Sequence, residues 1–177
     1  MTDEDLMLVY RQGSTDAFEE LFGRYRQAIW GYFRRRLTDR ARAEELSQET
    51  FVAVMEGAAG YEPRARFRTY LYAIAFNLLS AERRKMRSRR SESLDAVAVL
   101  ADRAGDPDAN LWLSGAIAQL DASDRDILML REYEQCSYGE IATLLGLPLN
   151  TVRSRLFRAR LELRRLLKPE PETRGTR

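Results

Sequence analysis

The sequence predicts an all-α protein of two small helical domains joined by a flexible linker, with a helix-turn-helix in the C-terminal domain. Glycine and proline are sparse, at 10 and 5 of 177 residues, and β-branched residues are few. Apolar side chains recur at steps of three and four, which is the period of an amphipathic helix. Two basic segments are separated by an acidic stretch with weak periodicity, which indicates two functional surfaces and a connector.

Three long amphipathic segments make up the predicted N-terminal domain, residues 1–90. They cover Asp16 to Leu37, Ala43 to Met55 and Arg66 to Arg84, and each carries its apolar residues on one face. Helices of this kind bury their apolar faces against one another, so a small helical bundle is expected.

Residues 91–110 form the predicted linker, because Gly105 and Pro107 interrupt a segment without a clear helical period. The predicted C-terminal domain, residues 111–168, contains four further helices. They cover Leu111 to Leu120, Ser123 to Tyr133, Ser137 to Leu145 and Asn150 to Leu167. Residues 169–177 are expected to be a disordered tail.

The composition argues against an enzyme and against a membrane protein. The chain has no histidine and one cysteine, Cys136, which removes the commonest general base and excludes a cysteine-based zinc site and an internal disulfide. No phosphate-binding glycine loop or metal-spaced carboxylate cluster occurs, and no cofactor is expected. No apolar run reaches the roughly 18 residues needed to cross a bilayer. The acidic start lacks the features of a signal peptide, so we expect a cytoplasmic protein without membrane insertion.

The charges are concentrated in particular segments, although the net charge is only +2. Residues 64–90 contain nine Lys and Arg with Glu82 as the one acid, and residues 149–168 contain seven with Glu162 as the one acid. Residues 91–109 instead carry five acids and one arginine. Two basic segments on either side of an acidic one favour two nucleic-acid surfaces.

Local signals in the C-terminal half predict the helix-turn-helix. Ser137 and Glu140 have the S-x-x-E spacing of a capping box, which begins a short helix. Gly146 supplies the left-handed residue that ends this helix, and Pro148 prevents its continuation. A short helix, a tight glycine turn and a longer helix together form the motif.

The longer helix, which Asn150 or Thr151 is expected to cap, has two different faces. The apolar face contains Val152, Leu156, Ala159 and Leu163. The other face presents the residues predicted to contact DNA, namely Arg153, Ser154, Phe157, Arg158 and Arg160. Guanidinium groups suit guanine edges and phosphates, and a ring suits a thymine methyl group. The alternative is a solvated basic helix, but an exposed ring on that face favours DNA recognition.

A series of motifs extends beyond the helix-turn-helix. The C-terminal half contains SYGEIATLLGLPLNTVRSRLFRARLELRR, preceded by AQLDASDRDILMLREYEQC, and the N-terminal half contains FEELFGRYRQAIWGYFRRRL, AEELSQETFVAVM and FRTYLYAIAFNLLSAERRK. In this order and spacing the segments resemble the extracytoplasmic-function (group IV) sigma factors of RNA polymerase, over about residues 5–168. The three segments of the N-terminal half resemble, in order, the opening helix of the conserved core, the polymerase-binding helix and the promoter-melting helix of that family.

The resemblance implies a transcription initiation subunit that binds core RNA polymerase and promoter DNA. It implies reading of the −35 element by the helix-turn-helix, and melting and capture of the −10 element by the N-terminal domain. The implied polymerase contacts are the clamp helices of the largest subunit and the flap of the second-largest subunit, and an anti-sigma factor is a further implied partner. The residues implied for polymerase binding are Glu45, Leu46, Gln48 and Glu49. An acidic and amide face suits a basic coiled coil.

The resemblance also places −10 recognition and melting on the third long helix and on the loop before it, residues 60–66. The implied residues are Arg66, Phe67, Tyr70, Asn77, Arg83, Arg84 and Lys85. Cations can follow the backbone of a single strand while rings stack on its bases, at about 1–3 kcal/mol per stack. We expect at least half of the rings of Phe67, Tyr70, Tyr72 and Phe76 to belong to the core instead.

Two other functions compete with the sigma-factor interpretation. One is a free-standing helix-turn-helix regulator that binds a palindrome as a dimer, and the other is an RNA-binding or helical adaptor protein. The basic and aromatic N-terminal helix and the linker favour a sigma factor. Cys136 also has two interpretations, packing within the fold or a redox switch, and we favour packing.

Overall fold

The structure, a computed structural model, describes residues 1–90 and 107–168 and contains eight α-helices there. The first group is α1 (Asp3–Arg11), α2 (Thr15–Arg34), α3 (Arg40–Gly57) and α4 (Phe67–Arg90), with a short 3-10 turn at Ala58–Gly60. The second group is α5 (Pro107–Gln119), α6 (Ala122–Glu132), α7 (Tyr138–Leu145) and α8 (Leu149–Leu166). The all-α prediction is confirmed. Residues 91–106 of the predicted linker and the predicted tail, 169–177, lie outside the described residues.

One helix was not predicted, and several boundaries differ from the sequence-based expectation; α4, for example, ends at Arg90 and not at Arg84. Helix α1 was not predicted, although Thr2 and Asp5 form a capping box in which each side chain accepts a hydrogen bond from the other residue's amide at 3.1 Å. Helix α5 begins at Pro107, inside the predicted linker. Proline is well suited to a first turn, because its missing N–H would have no partner there.

The first group is a bundle in which α1 packs on α2, α2 on α3 and α3 on α4. Its core contains fully buried side chains from each long helix, among them Phe33, Leu46 and Leu71. A buried side chain of this size contributes about 1.5–3 kcal/mol through the removal of apolar surface from water. Among the described helices, none combines the length and apolarity that a bilayer crossing requires.

The second group is built around α8, which contacts α5, α6 and α7. Asp121 caps α6 by accepting hydrogen bonds from the amides of Ser123 and Asp124, at 3.0 and 3.4 Å. Helix α5 is only partly covered, so that Leu111 and Trp112 remain 74% and 52% exposed.

The two groups are in contact, chiefly through α4 and α7. One buried apolar cluster includes side chains from both groups, such as Tyr72 and Ile141. The carboxylate of Glu134, in the loop between α6 and α7, is buried at this contact. It accepts hydrogen bonds from Arg35 at 3.0 Å, from Arg36 at 2.9 Å and from the hydroxyl of Tyr72 at 3.3 Å.

Gly146→Ala and Gly139→Ala are expected to change stability in opposite directions. The backbone at Gly146 has a φ of +63°, so an alanine there should lower the free energy of unfolding by about 1–2 kcal/mol. Gly139 lies within α7, where an added Cβ meets only Ser137 Oγ at 4.0 Å, so alanine should raise that free energy by about 0.5–1 kcal/mol. Urea denaturation followed by circular dichroism measures both changes, and equal effects of the two substitutions would contradict this account.

Candidate nucleic-acid interface

The helix-turn-helix begins with the predicted capping box. The hydroxyl of Ser137 accepts a hydrogen bond from the Glu140 amide at 3.1 Å, and the Glu140 carboxylate accepts one from the Ser137 amide at 2.7 Å. The left-handed conformation of Gly146 then ends α7, as predicted. The predicted cap of α8 by Asn150 or Thr151 is wrong, because α8 already begins at Leu149. Pro148 occupies the cap position without a side-chain hydrogen bond.

Helix α8 has a buried face and an exposed face, as the spacing predicted. Val152, Leu156 and Ala159 are at most 1% exposed and attach the helix to its own group, whereas Leu163 is only partly buried. The exposed face carries all five residues predicted to contact DNA, which are Arg153, Ser154, Phe157, Arg158 and Arg160. Phe157 is 67% exposed, which is unusual for a ring that only stabilises a fold.

Carboxylates of α6 already engage two of these arginines. Arg158 donates two hydrogen bonds to Asp124, at 3.0 and 3.1 Å, and Arg160 donates to Glu132 at 2.7 Å. The pair of Arg160 with Glu132 is exposed on both sides and is worth about 0–1 kcal/mol, so a phosphate or a base edge can replace that carboxylate at little cost. Asp124 is only 6% exposed, so removing Arg158 from it would leave a buried carboxylate, and that exchange is more costly. Arg153 has only a 3.5 Å contact to the Asn150 side chain, and it is therefore the arginine of this face that is most available.

The structure corrects the prediction for Phe67, which was expected to contact the −10 element. Its ring is 1% exposed and lies among Tyr25, Tyr61 and Tyr70, with centroid distances of 5.6, 6.3 and 6.2 Å. Its amide, at the start of α4, donates a 2.6 Å hydrogen bond to Glu4 of α1. Phe67 therefore anchors the beginning of α4 in the core and cannot stack on a base in this structure.

A second exposed face runs along α4. Tyr70, Asn77 and Arg84 are seven residues apart in turn, so they lie on one side of the helix. Asn77 and Arg84 are exposed, as are Arg66 before the helix and Lys85. The ring of Tyr70 is half-buried and packs on Tyr61 at a centroid distance of 5.2 Å. This face combines an amide, several cations and the edge of a ring.

Arg83 lies elsewhere on α4. It is six residues from Asn77, which places it on a different side of the helix. Its guanidinium contacts both carboxylate oxygens of Asp126 in α6, at 2.8 and 3.1 Å. The residues predicted for the −10 element thus comprise an open set, the half-buried Tyr70, the buried Phe67, and Arg83, which the second helical group partly covers.

Helix α3 presents Glu45, Gln48 and Glu49 to solvent, whereas Leu46, which was expected to contact the polymerase, is 1% exposed. That part of the prediction is corrected, because the Leu46 side chain belongs to the core. Arg42 donates to Glu45 at 2.8 Å, to Glu49 at 2.9 Å and to Glu82 of α4 at 2.8 Å. These hydrogen bonds, above all the one that Arg42 donates to Glu82, raise the pKa of the Arg42 guanidinium.

A groove between α2 and α3 extends this polar face. It is lined by nine residues, which are Phe22, Arg26, Gln27, Trp30, Arg40, Glu44, Ser47, Gln48 and Phe51. The sequence did not indicate this groove, because apolar positions at helical spacing are assigned to the core by default. Phe22 and Val52 are 39% and 50% exposed, so apolar side chains lie beside the carboxylates on this side of α2 and α3.

Two family models and several relatives match the chain. The models are those of sigma-70 region 2, over residues 21–90, and sigma-70 region 4, over residues 110–163. RNA polymerase sigma factor CarQ of Myxococcus xanthus is 35% identical, over 89% of this chain and 93% of its own length. The ECF RNA polymerase sigma-E factor of Haemophilus influenzae is 30% identical, over 96% of this chain and 97% of its own length. The chain belongs to the extracytoplasmic-function RNA polymerase sigma factors.

Solved structures agree with the fold of this sigma factor. CnrH, in complex with the cytosolic domain of CnrY, has a TM-score of 0.70 at 25% identity, over 93% of this chain and 96% of CnrH. The sigma factor RpoE of Bartonella quintana, in complex with the anti-sigma factor NepR, has a TM-score of 0.73 at 23% identity, over 87% and 98% of the two chains. The region 2 match ends with α4, and the region 4 match begins within α5 and ends within α8.

The single cysteine of this sigma factor is expected to be unreactive. Cys136 is 3% exposed, and burial raises the pKa of its thiol from 9.0 to about 11. Since the thiolate is the reactive form, alkylation by iodoacetamide at pH 8 should be at least roughly 100-fold slower in the folded protein than in urea.

Mass spectrometry of timed samples measures this rate. In Glu132→Cys/Cys136→Ser, an exposed thiol four residues away should react at nearly the rate of the unfolded chain. Equally fast alkylation of Cys136 in the folded protein would show that this thiol is accessible and would revive the redox interpretation.

Proposed function

We propose that this sigma factor binds core RNA polymerase through α3 and the adjoining groove, reads the −35 element with α8 and captures the −10 element with α4. Members of its family are transcription initiation factors and not enzymes. The observation that carries the proposal is the exposed face of α8, where arginines surround a ring that is 67% exposed, opposite a face that is fully buried.

At the −35 element, Arg153 is the first candidate for a base contact. A bidentate contact of an arginine with guanine discriminates against a wrong base by about 1–3 kcal/mol. Phe157 is one helical turn further along the same face, where its ring can contact a thymine methyl group. Arg160 can exchange Glu132 for a phosphate, and the exposed guanidinium of Arg158 can contact a phosphate while it keeps Asp124, which would fix the position of the helix on the duplex.

At the −10 element, the open face of α4 supplies the chemistry that single-strand capture needs. Arg66, Arg84 and Lys85 are exposed cations that can follow a phosphate backbone, and the amide of Asn77 can both donate to and accept from a base edge. Tyr70 can offer only the exposed part of its ring. Opening a base step costs a few kcal/mol, which several such contacts together can offset.

For polymerase binding, Glu45, Gln48 and Glu49 form a polar face with a negative charge that suits basic clamp helices of the largest subunit. The groove beside it, with Phe22 and Trp30, can receive apolar side chains. We also propose a contact of the region 4 part with the flap of the second-largest subunit. When the polymerase holds both helical groups near the promoter, the contacts of α4 and α8 with DNA can each be weak, because their effects combine.

We further propose that an anti-sigma factor regulates this protein. We also propose that this sigma factor acts in the cytoplasm, where RNA polymerase works. The RpoE structure of Bartonella quintana shows one protein of this fold bound to an anti-sigma factor. Co-purification from the source bacterium, followed by mass spectrometry, identifies the partner of this chain. A free-standing regulator is not favoured, because the chain matches region 2 as well as region 4.

Run-off transcription tests the proposed function. Core RNA polymerase of the source bacterium is supplied with a library of randomised promoters, with and without this protein, and the transcripts are sequenced. Promoter-specific initiation should require the protein, and the enriched promoters should share two separated elements. Tight binding to a palindromic duplex by the protein alone, without specific initiation, would instead support a free-standing regulator.

Arg153→Ala should weaken use of the −35 element. Loss of one base contact worth about 1–3 kcal/mol predicts a decrease of roughly 5- to 150-fold in initiation at low polymerase concentration, with binding to core polymerase unchanged. Arg164→Ala, at an exposed arginine near the other end of α8, is the matched control and should retain activity. Equal effects of both substitutions would argue against a specific role for Arg153.

Glu49→Lys, unlike Arg153→Ala, should weaken the binding of core polymerase, since it reverses a charge on the face proposed for the polymerase. Affinity for core polymerase, measured by fluorescence anisotropy of labelled protein, should fall by at least roughly tenfold, as for one disrupted charge contact. Glu19→Lys makes the same change at an exposed position of α2 and should bind normally. Normal core binding by Glu49→Lys would remove α3 from the proposed interface.

A further inference from the structure

We propose that helix α1 holds the −10 loop in place for DNA capture, and that Glu4 and Arg11 are the positioning residues. The −10 loop is defined as residues 61–66, between the 3-10 turn and α4. The proposal rests on the capture of the −10 element proposed above, because Arg66 of this loop is one of the cations assigned to that task.

The −10 loop is exposed between two buried ends. Tyr61, its first residue, is 4% exposed, and Phe67, which begins α4 directly after it, is 1% exposed. Residues 62–66 between them are all exposed. The direction in which Arg66 points from the protein therefore depends on what holds the two ends of the loop.

Helix α1 contacts both ends. In its last turn, the guanidinium of Arg11 donates a hydrogen bond to the carbonyl of Tyr61 at 3.0 Å. In its first turn, the carboxylate of Glu4 accepts a hydrogen bond from the amide of Phe67 at 2.6 Å. Two turns of helix separate Glu4 from Arg11, so both side chains lie on one side of α1, about 10 Å apart along its axis. Helix α1 thus spans the loop from one end to the other.

Both contacts join a charged side chain to a main-chain group. Hydrogen bonds with one charged partner are stronger than those between neutral groups. The amide of Phe67 has no acceptor within α4, because the first amides of a helix lack an intrahelical partner, and Glu4 supplies that acceptor from another helix. Loss of either contact frees the backbone at one end of the loop, and not merely a side chain.

Helix α1 is itself firmly attached to the bundle. Leu6 and Met7 are 2% and 0% exposed, so one side of α1 belongs to the core. The carboxylate of Asp3 accepts hydrogen bonds from Arg24 and from the hydroxyl of Tyr25, both in α2. A helix held in this way is a fixed support for the loop.

The support lies next to a proposed DNA contact and before the matched part of the chain. Arg66 and Arg68 border one cleft together with Thr2 and Glu4. The sigma-70 region 2 match begins only at residue 21, after α1 has ended. The contacts of α1 with the loop are therefore features of this chain in addition to those that the family model covers.

Hydrogen exchange of the full chain, followed by mass spectrometry, tests whether α1 holds the loop. Glu4→Ala removes the acceptor of the Phe67 amide, so the peptide that contains this amide should exchange at least roughly tenfold faster there. Glu4→Gln keeps an acceptor oxygen and should stay close to the unaltered protein. Glu19→Ala, at an exposed position of α2, is the matched control. Unchanged exchange in a folded Glu4→Ala would overturn the proposal.

The effect on DNA is measured with the holoenzyme, formed from core polymerase and each variant. The probe is a fluorescent non-template strand that carries the −10 element of a promoter enriched in the run-off library. Glu4→Ala and Arg11→Ala should each bind this strand roughly 3- to 10-fold more weakly, with affinity for core polymerase unchanged. Glu4→Gln should restore most of the binding, since it restores the hydrogen bond. Equal weakening by Glu4→Gln and Glu4→Ala, or none by either alanine variant, would contradict positioning through these contacts.

Arg11→Ala decides the matter if Glu4→Ala loses helical circular dichroism. Arg11 is exposed and acts at the other end of the loop, where the Tyr61 amide donates to the carbonyl of Ala58 at 3.1 Å. That amide should exchange at least roughly threefold faster in Arg11→Ala, and an unchanged rate would overturn the proposal. Exchange requires neither polymerase nor promoter. Faster exchange without promoter-specific initiation by the unaltered protein would thus contradict the proposed function and not the support of the loop by α1.

Discussion

Helix α4 has three sides with different surroundings, and the packing of the first helical group and its contact with the second both depend on this one helix. One side of it, with Leu71 and Ala75, completes the core of the first helical group. A second side, with Thr69 and Arg83, receives the carboxylates of the second group. The third side, with Asn77, stays open to solvent. The packing of this helix therefore sets the position of the proposed −10 contacts.

Much of the fold could be predicted because it is encoded by local signals. The capping box of α7 and the left-handed Gly146 depend on residues within a few positions of each other, and both have the predicted geometry. Apolar spacing likewise separated Val152 and Leu156 from the exposed side of α8. The start of α8 was misassigned, because the chain after Pro148 becomes helical without a side-chain cap.

The site could be predicted less completely, since a motif identifies a helix and not the direction of each side chain. Phe67 and Leu46 belong to matching motifs, yet both side chains point into the core. The groove between α2 and α3 depends on how two helices meet. The partners of Glu134 lie 98 and 99 residues away for its two arginines and 62 for Tyr72, which no local pattern reveals.

The two tryptophans of the chain lie one in each helical group, and this gives the molecule a built-in optical signal. Trp30 lines the groove beside α3, whereas Trp112 is half-exposed on α5. Replacing either indole with phenylalanine leaves an emission spectrum that reports on one group alone. Events at the two ends of the protein can thus be timed separately in a stopped-flow instrument, without attaching a dye.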